Sequence, residues 1–273
     1  MAAGLARRGL ILTMNAAKEQ EDLQRRWGAV SCRYVVLHRA EILLQKRALR
    51  QRDDEIIPPR MQTTICLGGT FFDLLLSDEQ AKLNLNMVFS EKRPRMVDHV
   101  LRKSLSGTGG ILSTDLHPNP NAVPQKTFPP AFDSWGQVFA YERSRRNRTT
   151  GSLPRLICNA TTSVTCWGDG KLNVLRAELP VLRQVCYLLI SKEGANRFLE
   201  SRTEHPHWNL DQLLDGTDLR REEKRTIRKW MTDRSSCHSL WILARSGQRE
   251  WCCLDIGQTF GQSSHPQVMT TWW

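Results

Sequence analysis

The sequence lacks most of the features that mark an enzyme or a membrane protein. No apolar run approaches the roughly 18 residues that a spanning helix requires, so we predict no membrane span. Neither Gly68-Gly69 nor Gly107–Gly110 continues into the Gly-Lys-Ser/Thr of a phosphate-binding loop, and no Gly-x-Ser-x-Gly turn presents a nucleophile. We therefore assign no catalytic residue, no cofactor and no metal ligand. An enzyme whose site is assembled from distant residues stays as the third alternative.

Cysteines are few and irregularly spaced. Eight of them among 273 residues are too sparse for a small disulfide scaffold, and most have apolar neighbours, as buried free thiols do. The adjacent Cys252 and Cys253 would point to opposite faces of a strand, which weakens a zinc site built from them. These features favour a reducing compartment, so we predict a cytoplasmic or nuclear location. The acid-free start with Arg7 and Arg8 leaves a mitochondrial location as the alternative.

The composition is otherwise that of an ordinary globular protein. Hydrophobic residues make up 40% and charged residues 25% of the chain. The formal net charge is +11, but the excess is spread along the sequence. A dedicated nucleic-acid domain usually concentrates its cations on one face or stripe, so the charge alone makes nucleic acid an alternative partner and not the first choice.

Periodicity predicts an α+β protein, in which a helical N-terminal unit precedes a C-terminal unit of antiparallel β-hairpins and helices. The predicted divisions are a flexible N-terminus over 1–16, a mainly helical unit over 17–103, a Pro/Gly/Ser-rich linker with an arginine cluster over 104–155, an α+β unit over 156–260 and a tail over 261–273.

The clearest element is a long helix over 17–52. Trp27, Val30, Tyr34, Leu37 and Leu44 fall near one stripe, which we expect to be buried. The residues from 61 suggest a strand that ends before the Gly-Gly pair, although the whole stretch over 61–76 could equally be a buried helix that the glycines interrupt. Hairpins are expected over 160–178 and 239–256, and the apolar run 185–190 is expected to form a strand.

The middle of the chain is expected to be an accessible linker. Its prolines at 118, 120, 124, 129 and 130 prevent a helix or a central strand from running through it. Its aromatic residues are suited to fill pockets on a protein partner. The candidate anchors are Phe128, Phe132 and Trp135.

The same segment ends in an arginine cluster. Guanidinium forks suit phosphate or carboxylate partners, so we assign partner binding to Arg143, Arg145, Arg146 and Arg148. Thr149 lies three residues after Arg146, the spacing of a basophilic kinase site, and is the candidate for phosphorylation.

The sequence therefore predicts a non-catalytic intracellular adaptor or structural component that acts through protein–protein contacts. The alternative is an RNA- or DNA-associated protein that uses the basic linker and the basic end of the first helix. That end carries Lys46, Arg47, Arg50 and Arg52.

Overall fold

The computed structural model describes residues 2–50, 58–92, 94–105, 112–122, 129–141, 153–246, 249–259 and 267–272. Its helices are α1 (Ala2–Leu37), α2 (Ala40–Arg50), α3 (Leu85–Lys92), α4 (Pro94–Ser104), α5 (Leu153–Ala160), α6 (Leu179–Leu189), α7 (Lys192–Glu204), α8 (Leu210–Gly216) and α9 (Arg221–Trp230). Its strands are β1 (Arg60–Leu67), β2 (Thr70–Asp78), β3 (Leu83–Asn84), β4 (Leu112–Thr114), β5 (Phe139–Tyr141), β6 (Val164–Thr165), β7 (Leu172–Asn173), β8 (Met231–Thr232), β9 (Cys237–Ser246), β10 (Arg249–Gln258) and β11 (Gln267–Trp272). Short 3-10 helices span Glu79–Ala81 and Trp135–Gln137. The α+β class predicted from the sequence is confirmed.

A five-stranded antiparallel sheet forms the centre, in the order β1-β2-β9-β10-β11. The turn between β1 and β2 uses Gly68 and Gly69 at φ values of 58° and 80°, a backbone conformation that other residues rarely adopt. The predicted strand before this pair and the predicted hairpin over 239–256 are both confirmed. Because β2 pairs with β9, the sheet joins the two ends of the chain across the helices that lie between them in sequence.

The sheet lies between two layers, and each of its faces is apolar. Phe72, Leu74 and Ile242 pack against α1 and α2 on one face, whereas Trp241 and Leu254 pack on the other face against the residues that follow β2. Alternate side chains of β2, β9 and β10 thus enter different cores, as the period of a strand requires. We call the described residues between 79 and 236 the helical layer.

Several local predictions were wrong. Val185–Leu189 belongs to α6 and not to a strand, because a short apolar run has no period that separates a buried strand from a buried helix. Strands β6 and β7 do not form the hairpin predicted over 160–178, since β6 pairs with β3 and β7 with β8. Helix α1 already begins at Ala2, within the predicted flexible N-terminus, and β11 lies in the predicted tail.

The described parts of 104–155 pack into the core, which differs from the accessible linker that the prolines suggested. Leu112, Trp135 and Val138 are buried there. Phe132 is held by Asn86, whose side chain accepts a hydrogen bond from the Phe132 amide at 2.7 Å and donates one to its carbonyl at 2.8 Å. Side-chain hydrogen bonds thus satisfy a backbone that the prolines exclude from regular structure.

Candidate assembly surface

Helix α1 extends beyond the central sheet, on which only its second half packs. It contains 36 residues, which corresponds to about 54 Å at 1.5 Å per residue. The side chains of residues 4–21 are all exposed, so the first half of the helix has no layer over it. Within the described residues, no helix is long and apolar enough to cross a membrane.

The second half of α1 lies on the sheet, and a glycine sets how closely it approaches. Ala29, Cys32 and Leu37 are buried in the core that this helix shares with β2, β9 and β10. At Gly28, an added Cβ would stand 2.2 Å from Cζ of Phe72. A side chain at residue 28 would therefore force Phe72 or the helix to shift.

Charged side chains fix the angle of α1 on the outer strands. The Arg25 guanidinium lies 3.4 Å from the ring centroid of Trp251 in β10. Arg33 donates a hydrogen bond to Thr270 Oγ1 at 2.9 Å, and Thr270 donates in turn to Asp255 Oδ1 at 2.5 Å. Burial raises the pKa of Asp255, and the bonds from Thr270 and the Arg33 charge offset only part of that rise.

The face of α1 that points away from the sheet carries an uncovered apolar stripe. At 100° per residue its members fall within about 60° of one another. They are Leu5, Leu12, Leu23, Trp27 and Tyr34, with exposed fractions of 71%, 64%, 56%, 69% and 65%. We call these five residues the α1 stripe.

The α1 stripe corrects the expectation of a single buried face. Trp27 and Tyr34 were predicted to be buried but are exposed, and Val30 is half-buried. Leu37 and Leu44 are buried as predicted, but Leu44 lies in α2, because the single helix predicted over 17–52 is broken between Leu37 and Ala40. Helix α1 is therefore apolar on two faces, one against the sheet and one free. Hydrophobic periodicity is averaged over the whole helix. It therefore did not distinguish two separate apolar faces from one broad apolar face.

A buried ionic cluster fixes the helical layer to the end of the sheet. Glu79 is fully buried just after β2, where its carboxylate accepts hydrogen bonds from Lys82 Nζ at 2.5 Å and from Thr165 Oγ1 at 2.5 Å. It also accepts a hydrogen bond from Ser239 of β9. A buried charge is tolerated when it is paired and its remaining lone pairs are satisfied, as they are here.

A second set of charges joins α2 to the same junction. Arg176 donates to Asp78 Oδ2 at 3.2 Å and also forms an ion pair with Glu41 of α2. His238 Nε2 lies 3.6 Å from the other Glu41 oxygen. Burial raises the pKa of Glu41, but His238 and the Arg176 charge outweigh it and hold that pKa at about 2. The acidic and basic side chains of this cluster come from α2, β2, β9 and the segment that contains Arg176. Their pairing holds these parts of the structure together.

The candidate partner-binding residues fall into two groups. Phe132 and Trp135 are described and lie inside the core, with exposed fractions of 0% and 4%, so neither side chain is presented to a partner in this structure. The remaining candidates lie outside the described residues. They are Phe128, Arg143, Arg145, Arg146, Arg148 and the phosphorylation candidate Thr149. The sequence signal for the α1 stripe was present at Leu5 and Leu12, but it fell in a segment that was predicted to be flexible.

The fold matches that of a chain in a secretion-system complex. The match is to the crystal structure of the GspK–GspI–GspJ complex from the Type 2 secretion system of enterotoxigenic Escherichia coli, with a TM-score of 0.55 and 13% sequence identity. It covers 95% of this chain and 99% of that chain. No protein-family model and no curated protein sequence matches the chain. At this identity the likeness shows the fold.

This likeness corrects the functional interpretation of the sequence. The intracellular adaptor and the RNA- or DNA-associated alternative were both wrong, because over 95% of its length this chain has the fold of a chain in a Type 2 secretion-system complex. The cytoplasmic or nuclear location, with its mitochondrial alternative, is overturned by the same finding.

Proposed function

We propose that this chain is a structural component of a secretion assembly of the Type 2 kind, and that it joins protein partners through the α1 stripe. The observation that carries the proposal is the stripe itself, a row of uncovered apolar side chains on a long helix. A row of large exposed apolar side chains along one face of a helix is typical of a protein interaction site. The matched structure, a complex of three proteins, supports protein partners.

The geometry of the stripe favours a helical partner. A row that follows one side of a straight helix from Leu5 to Tyr34 is about 44 Å long, and a second helix with an apolar stripe can cover it continuously. Burying each of the larger side chains contributes roughly 1.5–3 kcal/mol before the entropy of association is subtracted. Five such side chains together contribute roughly 7–15 kcal/mol, which is comparable to the roughly 4–15 kcal/mol that association costs.

A secretion assay tests the proposal directly. The gene is deleted in its own host, and the proteins that the cells release are quantified by mass spectrometry. Complementation with the wild-type chain restores release, whereas a chain carrying Leu12→Glu and Leu23→Glu does not, because two charges would have to be buried at the contact.

A matched control separates the stripe from the helix as a whole. Asn15→Glu and Gln24→Glu add the same two charges at exposed positions of α1 that lie outside the stripe. This control chain is expected to restore release fully. Normal release in the deletion strain would refute the role in secretion, and full rescue by the Leu12→Glu, Leu23→Glu chain would refute the role of the stripe.

A further inference from the structure

Two adjacent cysteines of β10 lie on opposite faces of the central sheet. Cys252 belongs to the core that the sheet shares with the helical layer, and Cys253 belongs to the core that it shares with α1. Both are buried. A thiol of the helical layer can therefore meet Cys252 but not Cys253.

Helix α5 brings such a thiol to Cys252. Arg155 of α5 forms an ion pair with Glu250 of β10, with 2.7 Å between guanidinium nitrogen and carboxylate oxygen. Cys158 lies one helical turn after Arg155 on the same side of α5, and Cys252 lies two residues after Glu250 on the same side of β10. The ion pair places Arg155 beside Glu250. One helical turn leads from Arg155 to Cys158, and two residues along the strand lead from Glu250 to Cys252, so the same alignment brings the two cysteines together.

Both thiols also line one cavity. Its volume is about 430 Å³, and Pro154, Trp241 and Leu243 are among its other lining residues. The two side chains thus face one shared space between α5 and β10. Cys158 is half-buried and not fully enclosed, so the cavity reaches the edge of the helical layer.

We propose that Cys158 and Cys252 are the site of a disulfide bond that links the helical layer to the central sheet. The two Sγ atoms form one S–S bond and lose two protons and two electrons. The electrons reduce a disulfide oxidant, such as oxidised glutathione, to two thiols by exchange. This proposal rests on the geometry of α5 and β10 and does not depend on the contacts of the α1 stripe.

Burial determines when the bond can form. It raises the pKa of Cys252 to about 12, with the nearby Cys158 adding to the rise, and it also raises the pKa of Cys158. Because the thiolate is the reactive form, the folded protein exchanges slowly at neutral pH. The bond should therefore form while the chain folds, before both thiols are enclosed.

The test refolds the full-length chain in a buffer of reduced and oxidised glutathione and blocks the remaining thiols with an alkylating reagent. Peptide mapping by mass spectrometry should then find Cys158 joined to Cys252, with two fewer alkylated thiols than in reduced protein. The linked protein should unfold at a higher urea midpoint, and a reducing agent should reverse that shift. Alkylation of both residues in the refolded protein would overturn the proposal.

Neighbouring variants identify the partner on β10. Cys252→Ser should abolish the cross-link to Cys158, and Cys253→Ser should keep it because residue 253 faces α1. A link from Cys158 to Cys253 would overturn the assignment. Should Cys252→Ser fail to fold, fragmentation of the linked wild-type peptides still distinguishes the two adjacent residues, so the proposal is decided in either case.

Discussion

At the scale of the residue, Gly28 determines how closely α1 lies on the sheet. Its missing side chain leaves room for Phe72, which is fully buried beneath the helix. Gly28→Ala should therefore destabilise the protein by about 1–3 kcal/mol, because the added methyl group forces Phe72 or the helix to shift. Urea unfolding followed by circular dichroism measures the change.

Gly9→Ala is the matched control on the same helix. Nothing lies within 4 Å of a Cβ added there. Alanine forms helix more readily than glycine, so this variant should be unchanged or up to about 1 kcal/mol more stable. Equal effects at positions 9 and 28 would show that helix propensity, and not the contact with Phe72, dominates.

Glu41 gives the junction between α2 and the helical layer a defined pH dependence. Its pKa of about 2 in the folded chain lies below the ordinary value of about 4.3 for an unfolded chain. A lowered pKa contributes stability that is present above the unfolded value and is lost as the pH falls through the folded one. The wild type should therefore exceed Glu41→Gln in stability at pH 7 and approach it toward pH 2.

The size of this effect is modest, since the Glu41 side chain is 43% exposed and solvent screens its ion pair. We expect about 1 kcal/mol at pH 7, measured by urea unfolding over a pH series. Glu19→Gln, on the exposed part of α1, controls for the general effect of removing a carboxylate. A gap between wild type and Glu41→Gln that stays constant down to pH 2 would contradict the assignment.

At the scale of the element, Glu223 connects the starts of two helices. Its carboxylate accepts hydrogen bonds from the Ser191 hydroxyl at 2.6 Å and from the Arg220 amide at 3.0 Å. These residues are the N-caps of α7 and α9, where backbone donors lack partners within the helix. Its pKa is lowered, because those bonds together outweigh burial, which acts in the opposite direction.

Glu223→Gln should lower the free energy of unfolding by about 1–2 kcal/mol, since an amide can accept on only one of its two sides. The difference should be present above about pH 4.3 and shrink at lower pH, as the wild-type carboxylate becomes protonated. Glu222→Gln, one residue earlier and exposed, should change stability little. Thermal unfolding of the wild type, Glu223→Gln and Glu222→Gln over a pH series measures how much the hydrogen bonds of Glu223 to the starts of α7 and α9 stabilise the protein.

Elements with a strong local signal could be predicted from the sequence, and the others could not. The hairpin of β9 and β10 has apolar residues on both sides of a polar turn, and β1 ends at two glycines, so both were predicted correctly. Helix α6 was missed because its apolar run has no distinguishing period over six residues. The α1 stripe was missed because contact between a helix and a sheet is a long-range property, and sequence does not show which of two apolar faces the sheet covers.

At the scale of the whole molecule, the ionic cluster around Glu79 joins parts of the chain that are far apart in sequence. Thr165 of β6 lies in the helical layer, and Ser239 lies in β9, which pairs with β2. Separation of the helical layer from the sheet would leave the buried Glu79 carboxylate without one of these hydroxyl partners. We therefore expect the sheet and the helical layer to unfold together, with coincident transitions by circular dichroism and tryptophan fluorescence.

Removing one charge of this cluster should cost more than removing two. Glu79→Leu leaves the buried Lys82 ammonium without its counter-charge and should lower the free energy of unfolding by about 3–5 kcal/mol. The double variant Glu79→Leu, Lys82→Met removes both charges and should recover a large part of that loss, because the remaining cost is limited to the hydroxyls of Thr165 and Ser239. Urea unfolding of the wild type, both single variants and the double variant gives the coupling energy. A double variant no more stable than Glu79→Leu would show that the hydroxyl contacts, and not the ion pair with Lys82, account for the stability that Glu79 contributes.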